Sequence, residues 1–143
     1  MSRSIVITML VAFLLLAACS TPAEPLTTVE VVGKQIPLSG GNYTDVSVAE
    51  LQTMLASKDF IFVNVHIPFD GNISGTDLSI PYDQIDQNLD KLPDKTAKIV
   101  LYCRSGRMST LASETLVGLG YSDIWNLSGG MAAWEQAGQK IER

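Results

Sequence analysis

Ile99-Val100-Leu101-Tyr102-Cys103-Arg104-Ser105-Gly106-Arg107-Met108-Ser109 is an apolar, β-branched run that ends abruptly in a cysteine and a polar loop. Thr110 to Leu119 then reads as a helix. A thiol between a buried strand and a helix start faces several free backbone N–H groups, and those donors with the helix dipole favour negative charge on sulfur. Gly106 lets the loop curl without a Cβ clash, and the guanidinium groups of Arg104 and Arg107 can draw in an anion. A structural cysteine at a strand end is the plain alternative. Arg-Ser-Gly-Arg is too polar to continue a core, however, and it lies where a parallel sheet places its ligand crevice. Cys103 reads as a nucleophile that accepts or passes on a negatively charged group.

Outward from this loop the apolar stretches alternate in kind. Ser47-Val48-Ala49-Glu50 has the form of a capping box, with Ser47 as N-cap, opening a helix to about Ser57. Phe60 to Val65 is a nearly continuous apolar run and fits a strand buried on both faces. Pro68 to Thr76 reads as a glycine-containing loop, Leu78 to Ile80 as a short strand and Gln84 to Lys91 as a short helix. Lys98 to Tyr102 is the second buried strand, and Met108 to Leu119 is a helix ended by Gly120. Asp123 to Asn126 is a further strand, and Met131 to Ala137 a last helix closed by Gly138. Such alternation predicts an α/β domain: a central, mostly parallel sheet with helices on both faces.

The amino-terminal part reads differently. Arg3, the apolar Ile5 to Leu15 and Leu16-Ala17-Ala18 have the order of a secretory signal, and the apolar run is shorter than the roughly 20 residues of a membrane span. Leu16-Ala17-Ala18-Cys19 resembles the lipobox of bacterial lipoprotein signal peptides, which implies cleavage before Cys19 and its lipidation. The expected division is 1–18 signal peptide, 19–42 tether with a short hairpin, and 43–143 the main domain. In that hairpin Gly33-Lys34 would turn Thr27–Val32 into Ile36–Leu38. More than one acyl chain would anchor the mature protein to a bacterial membrane, outside the cytoplasm, in periplasm or at the cell surface.

Cleavage would leave 125 of the 143 residues, with nine basic and fifteen acidic side chains and a formal charge of −6. That balance argues against nucleic acid as a partner. With Cys19 lipidated, Cys103 is the one free thiol, which points to reactivity. A lone Cys and the lone His66 fall short of a zinc ligand set, so no metal is expected.

With the elements placed, Tyr43 to Ala137 resembles a single rhodanese-like domain. The resemblance rests on Cys103-Arg104-Ser105-Gly106-Arg107-Met108-Ser109 after a buried strand, and on Trp125-Asn126-Leu127-Ser128-Gly129-Gly130-Met131-Ala132-Ala133-Trp134 about one helix later. It implies sulfur transfer: sulfane sulfur passes from an anionic donor such as thiosulfate onto Cys103 as a persulfide. A thiol, sulfite or cyanide acceptor, or a protein acceptor, then removes it. No cofactor is implied. Arg104 and Arg107 would hold the donor, with Ser105, Gly106, Met108 and Ser109 completing the loop and Gly130 at the pocket floor.

Two positions depart from the family pattern. An aspartate and an arginine are common on the strand before the first loop, where this chain has Asn64 and His66, and the following Gly-His-Ile element is Gly71-Asn72-Ile73. Asn64 and His66 would share a neutral hydrogen bond and support the loop, and His66 is read as a structural residue, not as a base for Cys103. Other functions remain open: a persulfide carrier or sensor for a partner, or a binding module. A related phosphatase or arsenate reductase is disfavoured, because the phosphatase loop is longer with an arginine six positions after its cysteine, where this chain has Ser109.

Overall fold

In the computed structural model, the described residues are 29–143, so the signal peptide, the lipobox and Cys19 lie outside them. Eight strands and three α-helices follow in order: β1 Lys34–Leu38, β2 Gly41–Val46, α1 Val48–Ala56, β3 Ile61–Asn64, β4 Asn72–Ile73, β5 Leu78–Ser79, β6 Ile99–Tyr102, α2 Arg107–Gly118, β7 Ile124–Leu127, α3 Gly130–Gln136 and β8 Ile141–Glu142. Six strands form one sheet in the order β1-β2-β7-β6-β3-β5, parallel except for the β1–β2 pair. A second, two-stranded antiparallel sheet joins β4 to β8.

The alternation of side chains along a strand decides what each face buries. Ile99 and Leu101 of β6, with Val63 and Val65, pack against Ala112, Leu116 and Val117 of α2 and Ile85. Val100, Tyr102 and Phe62 turn the other way, onto Leu51 and Met54 of α1 and Met131 and Trp134 of α3. All four residues of β6 are buried, so helices cover both faces as the continuous apolar run required. Cys103 continues the alternation onto the α2 face.

Several expectations are corrected. The hairpin is β1–β2, turning at Ser39–Gly40, and residues 29–32 form no strand. Ile36 and Leu38 cover the α2-side core, which ties β1 to the main sheet. The expected helix 84–91 is two 3-10 turns, Tyr82–Gln87 and Leu89–Lys91, too short to propagate as an α-helix. The expected loop 68–76 contains β4, which pairs with β8 beyond the last helix.

The capping box forms: Glu50 N–H donates to Ser47 Oγ at 3.3 Å and Ser47 N–H to Glu50 Oε2 at 2.8 Å. Glu50 Oε1 also accepts from the N–H groups of Gly33 at 2.8 Å and Val32 at 3.2 Å, so it holds the chain before β1 against α1. The Ser47 N–H first, then the Gly33 N–H, lower the Glu50 carboxyl from 4.5 to about 2. A depressed carboxyl stabilises the fold fully above its unfolded value and loses that contribution as pH falls through the folded one. Glu50→Gln should cost about 1 kcal/mol at neutral pH. The gap should close between pH 4.5 and about 2, measured as melting temperature against pH.

Candidate active site

Cys103 follows the carboxyl end of β6, which lies between β3 and β7, and is 1% exposed. The chain must reverse at once from strand to helix, and Gly106 makes that turn at φ 98°. The turn brings Gly106 N–H back onto Cys103 Sγ at 3.1 Å. Ser109 Oγ lies 3.4 Å from the same sulfur and 3.0 Å from Gly106 O, so its one proton serves either acceptor. α2 begins at Arg107 with no side-chain cap, which leaves its first-turn N–H groups without helical acceptors beside the thiol. Ser105 is exposed, and Met108 is half-buried against the α2-side core.

The start of α3 supports the loop from beneath. Met131 N–H donates to Cys103 O at 2.9 Å and Ala132 N–H to Arg104 O at 2.8 Å. Gly130 is therefore a support for the loop backbone: a Cβ there would lie 2.2 Å from Cys103 O.

The arginines do different things. Arg104 Nη1 donates to Asp70 Oδ2, a carboxylate the sequence did not single out. Arg107 makes no ion pair among the described residues. Asp70 also faces Arg143 Nε at 3.4 Å.

Asn64 and His66 are organised otherwise than expected. Asn64 Oδ1 accepts the backbone N–H of His66 at 2.9 Å, while its amide donates to Gly71 O at 2.9 Å and Asn72 Oδ1 at 3.0 Å. A buried amide that spans both ends of the 66–72 loop fixes that loop; the side-chain pair with His66 does not form. His66 Nδ1 is buried with no hydrogen-bond partner among the described residues. Burial holds the His66 imidazole below its ordinary value, with Asp70 opposing and Arg104 adding to the effect, which keeps the ring neutral.

Tyr102, the last residue of β6, also supports the neighbouring loop. Its buried Oη accepts the Ile73 N–H at 3.0 Å, donates to Asn72 Oδ1 at 3.2 Å and lies 2.7 Å from Thr76 Oγ1. Burial pushes the phenol above its ordinary value, so it stays a neutral donor. Tyr102→Phe should cost about 1–3 kcal/mol in urea unfolding, because the buried Ile73 N–H loses its acceptor.

This strand–cysteine–helix geometry sits within a sequence match to the rhodanese-like domain over residues 47–137. The chain belongs to the rhodanese-like domain family. A sulfurtransferase of Allochromatium vinosum is 32% identical over 93 residues, covering 63% of this chain and 85% of the relative. The thiosulfate sulfurtransferase GlpE of Pseudoalteromonas translucida is 26% identical over 109 residues, covering 71% of this chain and 98% of the relative. Among solved structures, a rhodanese-like domain protein from Staphylococcus aureus superposes with a TM-score of 0.58 at 31% identity, covering 69% of this chain and 98% of that one. The α/β class of the rhodanese-like domain, with its mostly parallel central sheet, thus agrees with the sequence reading.

Proposed function

We propose that this rhodanese-like domain is a sulfurtransferase that carries sulfane sulfur on Cys103. The observation that carries the reading is the Cys103 sulfur at an uncapped helix start, with the Gly106 N–H on it at 3.1 Å and the exposed Arg104 and Arg107 in the same loop. The sulfurtransferases among its relatives support the class. The Cys103 thiolate attacks the outer sulfur of a thiosulfate-like donor; the donor S–S bond breaks, a new S–S bond forms and sulfite leaves with the electron pair. A thiol, sulfite or cyanide then attacks the terminal sulfur and returns the thiolate. No oxidant is consumed, and charge is equal on both sides of each step. The terminal persulfide sulfur is anionic, so the first-turn N–H groups of α2 favour it as they favour the thiolate. Intact mass after thiosulfate treatment tests the reading: the gain of one sulfur atom, removed by cyanide, supports it, and an unchanged mass refutes it.

For location, we propose an extracytoplasmic protein anchored to a bacterial membrane through lipid on Cys19. The support is the Leu16-Ala17-Ala18-Cys19 tetrad alone. Cys19→Ser should move the protein from the detergent phase to the aqueous phase. Identical aqueous partitioning of wild type and variant would end the lipoprotein reading.

A further inference from the structure

We propose that Asp70 sets the donor preference of this site by acting as a resident anion on Arg104, so that the rim favours sulfane donors of low charge, such as persulfides of small thiols, over inorganic dianions. This deepens the sulfurtransferase reading and rests on it. Asp70 Oδ2 accepts from Arg104 Nη1, and Oδ1 faces Arg143 Nε at 3.4 Å. Arg143 is held in turn by Glu135 at 2.9 Å.

The backbone determines which partner is fixed. Asp70 immediately precedes Gly71 and β4, and β4 pairs with β8, whose Glu142 is followed by Arg143. The two segments touch so closely that a Cβ on Gly71 would lie 2.6 Å from Glu142 O. The backbone of Asp70 is therefore held next to the β4–β8 pair, while the longer side chain of Arg104, 46% exposed against 38% for Asp70, can swing to another partner. An ion pair facing water is worth little, so an incoming anion can displace Asp70 from Arg104 without a large cost. The carboxylate stays beside the entering charge, however, and repels a dianion more than a monoanion or a neutral persulfide. Arg107, unpaired among the described residues, remains as the cation open to any anionic donor. With a protonated organic persulfide the transfer balances simply. The donor S–S bond breaks, the outer sulfur and its proton pass to Cys103, and a thiolate leaves.

The test uses sulfate as an unreactive dianion, titrated at constant ionic strength and followed at the Gly106 amide by NMR. Asp70→Asn and Asp70→Ser should each tighten sulfate binding by about threefold to tenfold, the scale of one water-screened charge. The gain should vanish when Arg104→Ala is added. In turnover, KM for thiosulfate should fall in the same ratio with kcat nearly unchanged, a split that mere loosening of the loop would not produce. Unchanged or weaker sulfate binding in both variants overturns the proposal, as does a gain that persists without Arg104, or no response to sulfate in any form of the protein. If sulfate binding follows the expected pattern but thiosulfate leaves no sulfur on Cys103, the sulfurtransferase reading fails while the anion rim set by Asp70 stands.

Discussion

Cys103→Ser is expected to abolish sulfur transfer, by roughly a thousandfold or more, while the fold and melting temperature stay close to wild type. The hydroxyl replaces the thiol at nearly the same place, and its oxygen can still accept the Gly106 N–H that now meets Sγ. The packing around it changes little, because the two side chains differ only by oxygen for sulfur, and Ser109 Oγ already meets this position at 3.4 Å. What the oxygen cannot do is form a persulfide, so the covalent half-reaction has no carrier. Steady-state thiosulfate:cyanide transfer and intact mass measure the two halves separately. Wild-type turnover in Cys103→Ser would sink the mechanism. His66→Ala should cost far less, since the neutral ring has no hydrogen bond to the sulfur and its Nδ1 has no partner among the described residues.

How much of this was legible in the sequence follows from the range of each interaction. The β6 strand, its cysteine and the glycine turn are local: a continuous apolar run, a residue that tolerates φ 98° and a helix start lie within eleven positions. The capping box of Ser47 and Glu50 is equally local and forms as its spacing predicts. Asp70 and Arg104 are 34 residues apart, and nothing in an Ile-Pro-Phe-Asp-Gly turn says which cation the carboxylate will meet. β4 and β8 have two residues each, too few for a period to show, and they exist only because the chain after α3 returns alongside Asn72–Ile73. Asn64 and His66 sit two apart on a strand that ends between them, so their polar ends were expected to meet. The side chain of Asn64 instead satisfies backbone groups across the loop, because buried amides are used where unpaired donors would otherwise be stranded. Gly33-Lys34 had the composition of a hairpin turn, yet the chain there is held by Glu50, seventeen residues on from Gly33.

The second large effect is expected at a residue that does no chemistry. Gly130 opens α3 at φ 57°, a left-handed conformation that costs an L side chain about 1–2 kcal/mol. An alanine Cβ would also stand 2.2 Å from Cys103 O and 2.9 Å from Arg104 O, both backbone atoms that cannot swing aside as a side chain does. Overpacking of that kind costs about 1–3 kcal/mol more, giving about 2–5 kcal/mol for Gly130→Ala in denaturant unfolding. The strain falls on the two hydrogen bonds that hold the active loop, from Met131 N–H to Cys103 O and from Ala132 N–H to Arg104 O. If the loop moves by about 1 Å to relieve it, the thiol leaves its position against the Gly106 N–H, and a displacement of that size costs about 100-fold in rate. Gly118→Ala is the matched control: nothing lies within 4 Å of a Cβ there, at the end of α2, so it should be neutral or slightly stabilising. A Gly130→Ala protein with wild-type stability and wild-type sulfur transfer would show that α3 yields at its first turn, and that the active loop does not depend on a bare backbone beneath it.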